Sequence, residues 1–197
     1  ASDIHQRLGL TKGRYILLSA HREENIDTDR NFLQLFTAVN AMAEKYDMPI
    51  LYSCHPRSRK RLEATGFRLD SRVIAHEPLG FHDYNCLQMN AFAVVSDSGT
   101  LPEESSFFLS VGKPFPAISI RTSTERPEAL DAGCFILAGI DAESLLQAVK
   151  MADGMQRTAC FGTPVEDYTA ENVSMKVARI IQSYTGIVNK MVWRKDG

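Results

Sequence analysis

Six short apolar runs set the tightest limit on how this chain folds: residues 15–19, 49–52, 72–75, 91–95, 115–120 and 134–137. Their apolar residues run together and do not alternate with polar ones. Such a run suits a strand buried on both faces, as strands of a parallel sheet are. Between the runs lie segments with helical spacing. Phe32, Leu35, Phe36, Val39 and Met42 recur at helical intervals after Asp27 or Thr28, either of which can cap a helix start. Further helices are expected over about 57–64, closing near Gly66, and over 81–89, 101–109 and 142–151. A short helix within 2–10 leads into the first run. Strand and helix in alternation, with short connections, predict an α/β domain built on a doubly wound parallel sheet. Ligands of such sheets lie beyond the carboxyl ends of the strands, which directs attention to the tips after Ser19, Cys54, Ala75, Val95 and Ile120.

The pattern changes after about residue 155. Residues 162–164 read as a loop, and 169–184 as a long amphipathic stretch that is expected to break at Gly186 and resume to Trp193. The expected division is a Rossmann-like domain over 1–155 and a helical tail over 156–197 that lies across a neighbouring domain. The chain opens as though it continued something upstream.

Composition narrows the function classes. A formal net charge of −2 lacks the clustered basic excess that nucleic-acid backbones require. No apolar stretch approaches the ~20 residues that span a bilayer, and the start lacks a signal-peptide pattern. Cys54, Cys86, Cys134 and Cys160 stand singly, without Cys-x-x-Cys spacing, so free thiols in a reducing cytoplasm are expected rather than disulfides or a metal site. The sequence calls for no metal and no cofactor.

Three tips carry polar clusters. After the fourth run come Ser96-Asp-Ser-Gly-Thr-Leu-Pro-Glu-Glu104, read as a tight Ser98-Gly99 turn and a helix opening near Pro102. Backbone N–H groups in such a turn, backed by a helix dipole, suit a phosphate, and Glu103 or Glu104 suits sugar hydroxyls. The first tip holds Ser19-Ala-His21-Arg22-Glu23-Glu24-Asn25, with a histidine able to meet an anion or move a proton near neutral pH. The fifth holds Arg121, Glu125 and Arg126 among small hydroxyls, the forked donors that a diphosphate takes. At the second tip, His55-Pro56 reads more simply as a fixed helix start. Each cluster alone also fits a capped helix or a solvated loop. Together they describe one phosphate-bearing ligand. Neither a Gly-x-Gly-x-x-Gly fingerprint nor a Walker lysine loop is present.

His21-Arg-Glu-Glu-Asn25, Asp97-Ser-Gly-Thr-Leu-Pro-Glu-Glu104 and Thr124-Glu-Arg-Pro-Glu128, in this order and spacing, resemble the non-hydrolysing UDP-N-acetylglucosamine 2-epimerase family. The likeness runs over nearly the whole chain. It implies two Rossmann-like domains facing each other across a cleft, as in GT-B glycosyltransferases, of which this chain matches the second and its closing helix. That domain's implied task is to hold UDP. The resemblance places His21 at the diphosphate and sugar as the catalytic candidate. It gives Ser98, Gly99 and Thr100 the phosphates, Glu104 the ribose hydroxyls, Arg126 the diphosphate and Tyr84 the neighbourhood of the uracil. Thr100 stands where the family more often has glycine, and Leu79 where some members have a polar residue contacting the base.

The implied reaction inverts C2 of a UDP-N-acetylhexosamine for surface polysaccharide biosynthesis. UDP is eliminated to give a 2-acetamidoglucal and is then re-added with the C2 proton on the opposite face. The resemblance places the carboxylates for that chemistry mainly in the first domain, so this chain alone is expected to be inactive; the full-length protein is separately expected to be a homodimer. The alternatives are a UDP-sugar-dependent GT-B glycosyltransferase fragment and a stand-alone nucleotide-binding module.

Overall fold

The computed structural model describes residues 2–195. Six parallel strands are laid down in chain order as β1 (Ile16–Ser19), β2 (Ile50–Ser53), β3 (Val73–His76), β4 (Ala93–Ser96), β5 (Ala117–Ile120) and β6 (Ile136–Ala138). They line up as β3-β2-β1-β4-β5-β6, so the chain winds outward from β1 and then returns to start again at β4. All neighbours are parallel. This is the doubly wound Rossmann order, in which strand order reverses between β1 and β4 and leaves a crevice above their carboxyl ends.

The helices are α1 (Ile4–Leu8), α2 (Glu23–Ile26), α3 (Asp29–Tyr46), α4 (Pro56–Thr65), α5 (Phe81–Gln88), α6 (Leu101–Ser110), α7 (Pro127–Asp131), α8 (Ala142–Thr158) and α9 (Val173–Met191), with a 3₁₀ turn at Glu166–Tyr168. Strand periodicity sorts the core into two layers. Leu18, Tyr52, Val95 and Ile118 face α3 and α8, where Phe32, Phe36, Val39, Leu145 and Val149 bury their side chains. Their neighbours Leu17, Leu51, Val94 and Ala117 face the other way, onto Ile4, Leu87, Leu101 and Ala129. Thr28 caps α3 by accepting from Asn31 N–H at 3.1 Å, and Asp141 caps α8 through Ser144 N–H at 2.9 Å. The Ser144 amide also holds the Asp141 carboxyl below its ordinary range.

Two expectations need correction. The helix expected over 142–151 runs on to Thr158, and Gly186 does not interrupt α9. A helical glycine costs ~1 kcal/mol relative to alanine, too little to stop a helix whose other residues favour it. No residue of α9 is buried; Val173, Val177, Ile180, Ile181, Tyr184, Ile187 and Met191 form an exposed apolar stripe. The cysteines are unpaired. Cys54 and Cys134 are buried, Cys86 is half-buried and Cys160 exposed.

Residues 160–168 are strapped across α6 and α7. Thr163 N–H donates to Ala132 O at 2.9 Å, Val165 N–H to Ser106 Oγ at 2.8 Å, and Cys134 Sγ to Thr163 O at 3.1 Å. Gly162 makes the strap fit. It has φ +83°, and a Cβ there would stand 2.3 Å from Ala132 O and 2.6 Å from Gly133 C. Gly66, which caps α4 at φ +63°, has nothing within 4 Å of its missing Cβ. Gly162→Ala is therefore expected to lose about 2–4 kcal/mol from strain plus overpacking, and Gly66→Ala about 1 kcal/mol from strain alone. Urea unfolding of both variants checks this, and equal losses would contradict the packing argument.

Candidate functional site at the sheet's carboxyl edge

Strand register builds the floor of the site. Ser19 is aligned with Ser53 on one side and Ser96 on the other, and Ser96 with Ser119. Four adjacent strands thus carry a row of hydroxyls at or one residue before their carboxyl ends, on the face carrying α5 and α6. Isolated serines in the sequence give no sign of this, because the row exists only once the register is set. Tyr84, on α5, brings its hydroxyl against Ser19 and Ser96. Burial first, and then the charge of Glu104, push its phenol well above tyrosine's ordinary value, against the opposing hydrogen bonds from the two serines. The phenol therefore stays protonated at neutral pH.

The turn after β4 follows its expected course with one shift: the strand ends at Ser96, and α6 opens at Leu101 with Pro102 in its first turn. Ser98 N–H donates to Ser96 Oγ at 3.0 Å, and the Ser98 and Thr100 hydroxyls lie 3.0 Å apart. Glu104 is held at both oxygens, by Thr100 Oγ1 at 2.7 Å and by the buried Gln88 Nε2 at 2.7 Å. Each oxygen keeps lone-pair capacity for a further donor such as a sugar hydroxyl. Gln88 was absent from the sequence-based candidates; nothing near it in the sequence marks it as a partner of Glu104.

The residue that joins the tips is Asp97, fully buried between β1 and β4. Its Oδ2 accepts from His21 N–H at 2.9 Å, Arg22 N–H at 2.8 Å and Asn25 Nδ2 at 3.1 Å. Asn25 Nδ2 also donates to Ile120 O at 3.0 Å. One carboxylate and one amide thereby tie the loops after β1, β4 and β5. His21 itself is half exposed, with Nδ1 3.3 Å from Asp97 Oδ1. The Arg22 guanidinium overhangs the turn: its Nη2 lies 2.8 Å from where a Gly99 Cβ would sit. Gly99 leaves the backbone open at that point, and Arg22 adds a positive charge to it.

The fifth tip is more paired than expected. Arg121 is buried and bridges Glu24 at 3.3 Å and Glu125 at 3.1 Å. Its pairing with Glu125 raises the Arg121 pKa and lowers that of Glu125. Arg126 donates to Glu103 Oε1 from Nε at 2.7 Å and to Glu125 O at 3.0 Å. A diphosphate reaching Arg126 has to compete with the Glu103 carboxylate. His55 stands apart and caps α4 by accepting from Arg57 N–H at 3.4 Å, the simpler reading of its sequence.

Around His21, Arg22, Glu23 and Glu24 the edge opens into a hollow of about 500 Å³. A more apolar hollow of about 790 Å³ lies elsewhere, lined by Phe81, Met89, Phe107 and Phe108. The first joins His21 and Arg22 to the free turn at the strand tips; the second, although Lys12 and His82 also line it, is mostly apolar and lies away from those tips, so chemistry favours the strand tips over size. Among the described residues no group of three His, Cys, Asp or Glu side chains is placed to share a metal ion. No helix there is long and apolar enough to cross a membrane.

Comparison with known proteins bears on this site. The family pattern described as UDP-N-acetylglucosamine 2-epimerase matches residues 1–182. A UDP-N-acetylglucosamine 2-epimerase of Methanococcus maripaludis is 37% identical over 141 residues, which is 70% of this chain and 37% of that protein. The solved UDP-N-acetylglucosamine 2-epimerase from Rickettsia bellii superposes with a TM-score of 0.84 at 38% identity, over 98% of this chain and 51% of that one. The Methanocaldococcus jannaschii UDP-GlcNAc 2-epimerase, solved in complex with UDP-GlcNAc and UDP, gives 0.77 at 27% identity, over 93% and 49%. The chain thus spans between about a third and a half of the length of these relatives.

Asn25 supplies the test of the loop tie. Asn25→Ala is expected to cost about 1–3 kcal/mol by leaving Ile120 O and part of Asp97 without a donor. Asn25→Asp should cost more at neutral pH, because it sets a second buried carboxylate against the first. Thermal and urea unfolding decide, and an Asn25→Asp chain as stable as the parent would refute the tie.

Proposed function

Because the chain belongs to the UDP-N-acetylglucosamine 2-epimerase family, we propose that it is the UDP-holding half of an enzyme that inverts C2 of a UDP-N-acetylhexosamine. The observation that carries this reading is the convergence of His21, Arg22 and the 98–100 turn on the crevice between β1 and β4. A nucleoside diphosphate placed there meets backbone and hydroxyl donors at Ser98, Gly99 and Thr100. Arg126 approaches the diphosphate by exchanging Glu103 for phosphate oxygens, Glu104 faces the ribose hydroxyls, and Tyr84 bounds the base end. Anion stabilisation of this kind is what a departing UDP needs.

In the reaction, loss of the C2 proton and cleavage of the bond from C1 to the UDP oxygen leave a 2-acetamidoglucal. Return of UDP to C1 and of a proton to the other face of C2 completes inversion. His21, at the mouth, is the residue of this chain that faces the sugar side. The base and acid at C2 are assigned to an upstream half, and the exposed stripe of α9 to contact with that half. Of the 156–197 tail, residues 160–168 stay bound to this domain and α9 is then the crossing element; an apolar face of this kind marks an interaction surface. A cytoplasmic homodimer serving surface polysaccharide synthesis is the setting we assign to the full-length protein.

Two measurements test this. Calorimetry of the 197-residue chain is expected to give a UDP Kd of roughly micromolar to millimolar, with uridine much weaker. Arg126→Ala should lose about 1.5–3 kcal/mol of that affinity, with Arg126→Lys recovering part. Equal affinity for UDP and uridine would remove the diphosphate clamp. Deuterium incorporation at C2 in heavy water should be undetectable for this chain alone. It should be present when the domain is joined to an upstream half and severely reduced there by His21→Ala. Exchange by the isolated chain at the joined rate would overturn the division of labour.

A further inference from the structure

The hydrogen bonds of Asp97 leave one half of its carboxylate unaccounted for. Oδ2 takes three donors, while Oδ1 is buried and receives no hydrogen bond among the described residues. A buried carboxylate oxygen without a donor is costly. The group the fold sets beside it is the His21 ring, with Nδ1 at 3.3 Å, an ion-pair distance that a small turn of the ring converts into a hydrogen bond. His21 N–H already anchors to the same carboxylate, so the ring cannot drift far from it.

We infer that Asp97 is a positioning residue for His21, fixing the neutral imidazole as the form protonated on Nδ1, with Nε2 bare toward the open edge of the sheet. The argument is one of donor count. A carboxylate oxygen only accepts, so the ring nitrogen facing Oδ1 carries the proton, and the other nitrogen is then an acceptor. When the ring takes up a second proton, both nitrogens donate, Nδ1 to Asp97 and Nε2 to whatever oxyanion lies outward. The same ring thus presents an acceptor or a donor at one fixed point without changing its seat. The inference builds on the proposed placement of His21 beside the diphosphate and sugar, but its geometry belongs to the chain without ligand.

Long-range proton–nitrogen NMR of the ¹⁵N-labelled chain at alkaline pH, where imidazole is neutral, reads the tautomer directly. The His21 signals are assigned by their disappearance in His21→Gln. The expected result is a protonated-type resonance for Nδ1 and an unprotonated one for Nε2. In Asp97→Asn the side-chain oxygen is expected to take over the three donors of Oδ2, leaving the amide NH₂ to face Nδ1. The two resonance types should then exchange places, a change that a purely structural role would not produce. A parent chain with the proton on Nε2 overturns the inference, even if Asp97→Asn fails to fold. So does an Asp97→Asn chain that folds and keeps the parent tautomer. UDP titrated into the same samples separates the two claims: a chain with the expected tautomer that ignores UDP refutes the nucleotide reading alone.

Discussion

A carboxylate shut away from solvent must be met by donors, and the way Asp97 is met organises the functional edge of this domain. Its partners come from the loop after β1, it sits at the end of β4, and Asn25 extends the tie to the last residue of β5. The direction in which His21 and Arg22 leave β1 is set by two backbone N–H groups bonded to one oxygen. Charge-assisted bonds of this kind are roughly twice as strong as neutral ones, which suits a loop only a few residues long.

Beyond that tie, the edge is a chain of alternating charges. Glu24, Arg121 and Glu125 form one group, and Glu103 with Arg126 another. The two groups differ in readiness to meet an anion. Arg121 is buried and doubly paired, so it serves to brace the loop after β5 against the loop after β1. Arg126 is a third exposed and held by one carboxylate on α6. Exchange of that carboxylate for a phosphate keeps the guanidinium paired throughout, which lowers the cost of switching partners.

Much of this was legible in the sequence, and what was missed shares a cause. Unbroken apolar runs located all six strands within a residue or two, because a strand buried on both faces has little room for polar residues. The longer helices of the sheet layers followed from spacing and caps such as Thr28, whereas the short α2 and α7 were not foreseen. The length of α8 and the continuity of α9 through Gly186 were misjudged, since local breakers weigh little against a run of favourable neighbours. At the site, the motif residues were visible, but their partnerships were not. Asp97 and Asn25 are 72 residues apart, Gln88 and Glu104 lie on different helices, and the serine row needs four strands in register. Spacing within a motif shows which residues travel together; it does not show what they reach across the fold.

The central claim is that one ligand is received at the reversal between β1 and β4, by loops that Asp97 and Asn25 hold together. Amide hydrogen exchange with and without UDP tests it most directly. The account predicts slower exchange on adding UDP at residues 20–26, 97–104 and 121–128 together, with the apolar hollow around Phe81 and Phe107 unchanged. Protection confined to residues 81–89 and 107–108, with none at the three loops, would contradict it.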